Sequence, residues 1–267
     1  PFDIDGLEPV ERLGKGSEGA VVLCRTQDGE PRAVKYSYKG DGLQDEIDAL
    51  KEIGPHENII ERFDSGSVKL PSGEEFEYLV LEAHTGDVFT WESTAPDEKA
   101  RQNWKEIGCE ALCDEEYMLK RIAFDISAAL SQVQRTGRIH RDVKAENMGI
   151  TWFKRHNGEP TIVLCDFGFT RKIVDNNGNL IPEKERSFRI ATTPMIASPA
   201  VWSGYDQYYV DDAMSLLFSI VRNHIVDQRS DMFAMAMKSP AESIRQKVKF
   251  LKDPAEYQKT LPREEIG

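Results

Sequence analysis

The segment "GKGSEGAVVLCRT", residues 14–26, constrains the fold most. It sets Gly14, Gly16 and Gly19 directly before an apolar run. A glycine turn that opens a helix belongs to doubly wound dinucleotide folds. Here the run continues with strand character, and a second one, "PRAVKYS", follows across "QDGE". Asp28-Gly29 predicts a tight hairpin, because glycine adopts positive φ without a Cβ penalty. The glycines therefore lie between two strands, where backbone N–H groups can approach anionic oxygens closely. Taken alone, the segment reads equally well as a plain glycine turn.

The period then changes. "DGLQDEIDALKEIG" repeats Leu43, Ile47 and Leu50 at helical spacing and stops at Gly54-Pro55. "NIIERFDSGSVKL" and "EFEYLVLEA" read as two further strands around "PSGE". Farther on, Ile122, Ile126, Ala129, Leu130 and Val133 line one face of a long helix ending at Gly137. "MGITWFKR" and "TIVLCDFG" form a hairpin with Asn157-Gly158 at its turn. "DDAMSLLFSIVRNHI" is helical again, with Ala213, Leu216, Leu217, Ile220 and Val221 apolar. The pattern predicts an α+β fold in two lobes. Residues 1–83 form a β-rich lobe with one helix, residues 84–267 a mainly helical lobe, and the join falls near Glu82 to Gly86.

A chain of 267 residues can bury one large core or two modest lobes. It holds no run of about 18 apolar residues, so no membrane partner is expected. A formal net charge of −12 argues against nucleic acid as a partner. Part of that acidity is local: residues 92–116 look like an insertion presenting a solvated helical face. The opening "PFDIDGLEPV" lacks both Met and a charged-then-apolar leader, which reads as no signal peptide and as a fragment of a longer protein. Four cysteines suit reduced thiols in a cytoplasmic or nuclear setting. Cys109 and Cys113 read as helix cysteines one turn apart rather than metal ligands.

Six side chains carry the chemistry of the segment "RIHRDVKAENMGI", residues 138–150, and its surroundings. Lys35 ends "RAVK" among apolar strand residues, where an unpaired charge is costly, so it needs an anion or must snorkel outward. Glu46, beside apolar Ile47, is either its partner or one more exposed helix acid. Asp166 leaves an apolar strand in "LCDFGF", as a Mg²⁺-binding carboxylate would. Asp142 can take a hydroxyl proton, Asn147 can complete a metal shell, and Lys144 can neutralise a transferring phosphoryl group.

In this order the glycine loop, strand lysine, helix glutamate, HRDxKxxN and DFG segments resemble a eukaryotic protein kinase catalytic domain, from about Leu7 to His224. The resemblance implies the bilobal kinase fold, ATP and Mg²⁺ as cofactors, and a protein substrate phosphorylated on Ser or Thr. It places Asp142, Lys144, Asn147, Lys35 and Glu46 in catalysis, and Asn147 and Asp166 on the metal. Nucleotide contacts would come from Gly14, Lys15, Gly16, Ser17, Gly19, Val21, Ala33 and Lys35, from Leu81 as gatekeeper, from the backbones of Glu82 and His84, and from Gly149. Asp212 matches the aspartate that anchors the catalytic loop, and Thr193 the threonine that contacts Asp142 and Lys144.

"TTPMIASPAVWSGYDQYYVDDAMSLL" from Thr192 and "LIPEKE" at residues 180–185 resemble the casein kinase 1 group, which includes the tau-tubulin and vaccinia-related kinases. That group implies a substrate that is acidic or primed by phosphate, and Arg186 and Arg189 are the candidate readers. Three departures stand out. Ala145 replaces a proline, Ala200 leaves no acid for the usual ion pair, and Gly149 replaces the apolar floor beneath adenine. Losing that floor removes roughly 1–2 kcal/mol of packing. The lobe after His224 looks short, with one helix pattern in "SPAESIRQKVKFLKD". The alternatives are a nucleotide-binding pseudokinase scaffold and, behind it because Lys144 is present, a small-molecule phosphotransferase. Oligomeric state is not legible.

Overall fold

Alternating strand segments joined by tight turns leave one solution for the first third of the chain, an antiparallel sheet. In the computed structural model, the described residues are 4, 6–16, 19–38, 40, 42–69, 73–95, 97–106, 108–151, 159–182, 198, 201, 207–221 and 252. Strands β1 (Leu7–Gly16), β2 (Gly19–Thr26), β3 (Pro31–Tyr38), β4 (Arg62–Lys69) and β5 (Glu75–Glu82) form a five-stranded sheet in the order β1-β2-β3-β5-β4. The Asp28-Gly29 turn closes through Gly29 N–H to Thr26 O and Thr26 N–H to Glu30 O, both 2.9 Å, with Gly29 at φ 82°.

Helix α1 (Leu43–Ile53) crosses this sheet and buries Leu43, Ile47, Ala49, Leu50 and Ile53. Gly54, at φ 73°, ends it by donating its N–H to Leu50 O. The next strand begins later than the sequence pattern predicts. Asn58 to Ile60 leave the upper sheet and bond the lower lobe instead. Leu164 N–H donates to Asn58 O at 2.8 Å, and Ile60 N–H to Leu164 O at 3.0 Å. Apolar content predicted a strand there, but the partner strand is Thr161–Leu164, more than a hundred residues away in sequence.

The second lobe runs β6 (Gly86–Asp87), α2 (Val88–Thr94), α3 (Glu98–Glu106), a 3₁₀ turn (Glu110–Cys113), α4 (Glu115–Arg135), β7 (Arg138–Ile139), a 3₁₀ turn (Ala145–Asn147), β8 (Met148–Thr151), β9 (Thr161–Leu164), β10 (Arg171–Lys172) and α5 (Tyr209–Val221). Asp114 caps α4 by accepting Tyr117 N–H. Helix α4 buries Met118, Ile122, Ile126, Ala129 and Val133, with Leu130 half-buried. These residues, the α1 stripe, Leu79, β8, β9 and Phe167 make one apolar cluster that spans both lobes. Each fully buried Leu, Ile or Phe in it contributes about 1.5–3 kcal/mol.

Two expectations change. The acidic stretch does include a solvated helix, since α3 buries nothing. However, Trp91, Cys109 and Leu112 insert into the core, and Trp91 Nε1–H donates to Leu112 O at 2.9 Å. In α5, Ala213 and Leu217 are exposed, whereas Asp211, Asp212, Ser215, Leu216, Phe218 and Ser219 are buried. The buried face of this helix is largely polar because Asp212 accepts the backbone N–H groups of His140 and Arg141. The Asn157-Gly158 turn, Ser17, Thr193, Arg186, Arg189 and Ala200 lie outside the described residues, as does all of the C-terminal helix pattern except Lys252. No helix among the described residues is long and apolar enough to cross a membrane.

Candidate active site

Between the lobes lies a cavity of about 450 Å³. Its upper wall is Gly19, Val21, Ala33, Lys35 and Glu46, its back is Ile60, Leu81, Glu82 and His84, and its lower wall includes Asp142, Lys144, Glu146, Asn147, Cys165 and Asp166. A second cavity of about 490 Å³ lies behind α1, lined from Leu50 to Arg62, and gathers no comparable set of groups.

The glycine segment forms the β1–β2 hairpin above the cavity, with Lys15 opposite Ala20 and Gly16 opposite Gly19. Gly19 is required by its own chain. At φ 137°, a Cβ there would sit 2.2 Å from Tyr36 O. A Cβ on Gly14 would meet nothing within 4 Å, so the protein itself does not demand glycine there.

Lys35 lies at mid-β3, opposite Val21 and Leu79. Its Nζ donates to Glu46 Oε2 at 2.7 Å and to Asp166 Oδ1 at 3.1 Å. Glu46 is 1% exposed, and its Oε1 accepts Phe167 N–H at 3.1 Å. Burial opposes charge on Lys35, yet Glu46 and then Asp166 hold its pKa above the ordinary value. Burial pushes the Glu46 carboxyl up, against the pull of Lys35. Asp166 is also opposed by burial, but Lys35 holds its carboxyl below the ordinary value. Asp166 stands at φ 59°, a costly conformation for a residue with a side chain. That turn sends Phe167 inward to full burial while Asp166 keeps a cavity-facing position.

The catalytic-loop cluster is equally defined. Lys144 Nζ donates to Asp142 Oδ2 at 2.6 Å. Asn147 Nδ2 donates to Asp142 O at 2.9 Å and to Asp142 Oδ2 at 3.0 Å. Behind them the buried Asp212 accepts His140 N–H at 2.6 Å and Arg141 N–H at 2.8 Å. Arg141 is held at φ 77°. His140 Nε2 bonds Cys165 O at 3.1 Å, and its ring meets Phe167 edge-on at 4.8 Å. The loop is thereby tied to α5 below and to the Asp166 segment beside it.

At the back of the cavity, Glu82 N–H donates to Glu61 O at 2.9 Å. Gly149 does not line the cavity; the His84 side chain covers it. The family resemblance implies a role for the His84 backbone alone, and the ring that lines the cavity is added by the structure. Cys165, Ile60, Glu146 and Phe169 also line the cavity and were missed. Cys165 directly precedes Asp166, the one clue available; burial pushes its thiol up to about 12. Ser198 Oγ donates to Asp211, which also accepts Tyr208 N–H at 2.7 Å.

A family profile described as "Protein kinase domain" matches residues 7–238. The chain belongs to this family. Among curated proteins it is similar to serine/threonine-protein kinase TIO of Arabidopsis thaliana, 26% identical over 261 residues, 88% of this chain and 18% of that protein. It is 28% identical to ribosomal protein S6 kinase alpha-2 of Mus musculus over 66% of this chain and 21% of that protein. It is 25% identical to putative serine/threonine-protein kinase K06H7.1 of Caenorhabditis elegans over 92% of this chain and 68% of that protein. The chain thus spans about a fifth of the length of the first two relatives. The protein kinase fold accounts for the five-stranded upper lobe and helical lower lobe.

Proposed function

We propose that this kinase domain transfers the γ-phosphoryl group of ATP to serine or threonine hydroxyls of a protein substrate. The observation that carries the reading is convergence. The Lys35 pair with Glu46 and Asp166, and the Asp142–Lys144–Asn147 cluster, face one cavity. Lys35 binds nucleotide phosphates, and Glu46 aims it. Asp142 orients the substrate hydroxyl and accepts its proton as the new O–P bond forms and ADP departs. Lys144 balances charge on the transferring group.

Asp166 and Asn147 fit Mg²⁺. Both face the cavity, and Asn147 is fixed through Nδ2, which leaves its amide oxygen as a hard donor beside a carboxylate. The metal, when bound, would neutralise phosphate charge. The pseudokinase alternative has less support, since each group needed for transfer is present. The casein kinase 1-like branch is part of the proposal. It rests on the sequence from Thr192 onward, and the Ser198–Asp211 bond, which links the Ala-Ser segment to the Asp-Asp pair, favours it. On that branch Arg186 and Arg189 read an acidic or phosphorylated residue upstream of the acceptor.

The test is transfer from labelled ATP to casein. Asp142→Asn should lower kcat by about 10²–10⁴-fold with ATP binding retained. Wild-type turnover by that variant would overturn the assignment. For the branch, a peptide with phosphoserine three residues before the acceptor should beat its unmodified twin in kcat/KM, and Arg186→Ala/Arg189→Ala should remove the advantage.

A further inference from the structure

The base-binding end of the cleft lacks its usual floor side chain, and another group stands in that space. Gly149 is buried in β8, paired with Asp87 of β6. A Cβ built on it would lie 2.9 Å from His84 Cγ, 3.0 Å from Cδ2 and 3.1 Å from Cβ. The imidazole therefore occupies the volume that a side chain at position 149 would fill. The backbone after His84 is pinned there. Thr85 N–H and Oγ1–H both donate to Ile150 O, at 3.0 and 2.8 Å, and Gly86 pairs with Ile150. His84 remains exposed and lines the cavity, so one side of it is open to a ligand. Val21 and Ala33 of the upper sheet line the same cavity. An aliphatic roof over a flat aromatic floor is a slot for a planar heteroaromatic ring.

We infer that the His84 side chain, seated on Gly149, is the lower stacking surface for the adenine base. The inference rests on the ATP-binding reading above. It makes positions 84 and 149 a reciprocal pair. The glycine admits the imidazole, and the imidazole supplies the surface that the glycine lacks. A hinge side chain thus does the work that the sequence comparison assigned to a residue missing from β8.

The experiment measures binding of ATP and of adenosine by the 267-residue chain and its variants. His84→Ala should weaken both ligands by about tenfold, the loss expected when one base face has no packing partner. His84→Phe keeps a flat ring and should stay within about threefold of wild type. His84→Ala/Gly149→Leu returns a floor from below and should recover to within about threefold. A merely structural role for His84 would not be rescued by leucine at a different position. Lys35→Met serves as the contrast and should weaken ATP but not adenosine. If His84→Ala binds both ligands like wild type, or the double variant binds no better than His84→Ala, the inference is wrong. If Lys35→Met still weakens ATP in that case, the ATP-site reading stands without it. If the wild type binds neither ligand, both fall together.

Discussion

The loop from His140 to Asn147 and helix α1 each deliver a carboxylate to the cleft, but polar bonds anchor them differently. The loop is fixed by buried bonds. Asp212 takes two successive backbone N–H groups, and the Arg141 guanidinium reaches Gln207 and Phe169 O. Helix α1 is clamped along an outer edge by ion pairs. Glu52 meets Arg138 at 2.9 Å and Lys172 at 3.8 Å, and Asp45 meets Arg171 at 3.3 Å. Glu52 and Asp45 side chains are 48% and 61% exposed. Water and salt weaken such pairs, whereas buried hydrogen bonds to a carboxylate keep their strength. The loop is therefore the half of the site fixed by buried hydrogen bonds, and α1, which carries Glu46, rests on its buried apolar stripe with an outer edge that salt can weaken.

The largest effect should come from the fixed half. Asp212→Ala strands the N–H groups of His140 and Arg141 in a buried place. The cost should be about 3 kcal/mol or more, since each orphaned donor forfeits its desolvation. Urea unfolding of the variant measures it. A loss below about 1 kcal/mol would mean that the loop is held by its other bonds and that the contrast with α1 is overstated.

Glu46→Gln should come next, and it probes the helix half of the site. Glutamine keeps the shape but withdraws the charge that fixes Lys35, leaving Asp166 as the neighbouring anion at 3.1 Å. The expected outcome is a kcat/KM lower by about ten- to a hundredfold, with 1.4 kcal/mol per decade. Steady-state kinetics with ATP varied checks it. Unchanged kinetics would show that Lys35 does not depend on α1 for its position.

The two halves also differed in how well the sequence revealed them. Lys35, Glu46, Asp142 and Asp166 were legible because each sits in a short motif that local pattern marks, although Lys35 lies in the middle of β3 and not at its end. The Asp212 anchor was visible only through family resemblance, since an acid in a helical run carries no local sign of burial. The Glu52 clamp was not visible at all. It joins residues 86 apart, and an exposed glutamate beside an exposed lysine looks like any solvated face. Helix α5 was misread for a related reason. Apolarity placed Leu217 inside, yet the helix turns its polar face to the loop it supports. The His84–Gly149 contact depends on ring direction, which spacing does not encode. In the upper sheet, by contrast, alternation and turn glycines sufficed, apart from Asn58 to Ile60, whose partner lies in the other lobe.

The smallest effect tests the clamp itself. Glu52→Gln removes the anion shared by Arg138 and Lys172. Exposed pairs are worth about 0.5 kcal/mol each, so the loss at low salt should be about 0.5–1 kcal/mol. In about 1 M NaCl, where the screening length is near 3 Å, the difference from wild type should vanish. The loss in Asp212→Ala should persist there. Acid gives a second reading. The Arg138 hydrogen bond holds the Glu52 carboxyl below its ordinary value, against a small opposing effect of burial. A carboxyl whose pKa is lower folded than unfolded contributes fully above the unfolded value and loses that contribution as pH falls through the folded one. The stability gap between wild type and Glu52→Gln should therefore close on acidification through and below the ordinary glutamate range. Chemical denaturation at stepped pH and salt gives both curves. A gap that survives both high salt and acid would place Glu52 among the buried, unscreened bonds, and α1 would then be as firmly fixed as the loop it faces.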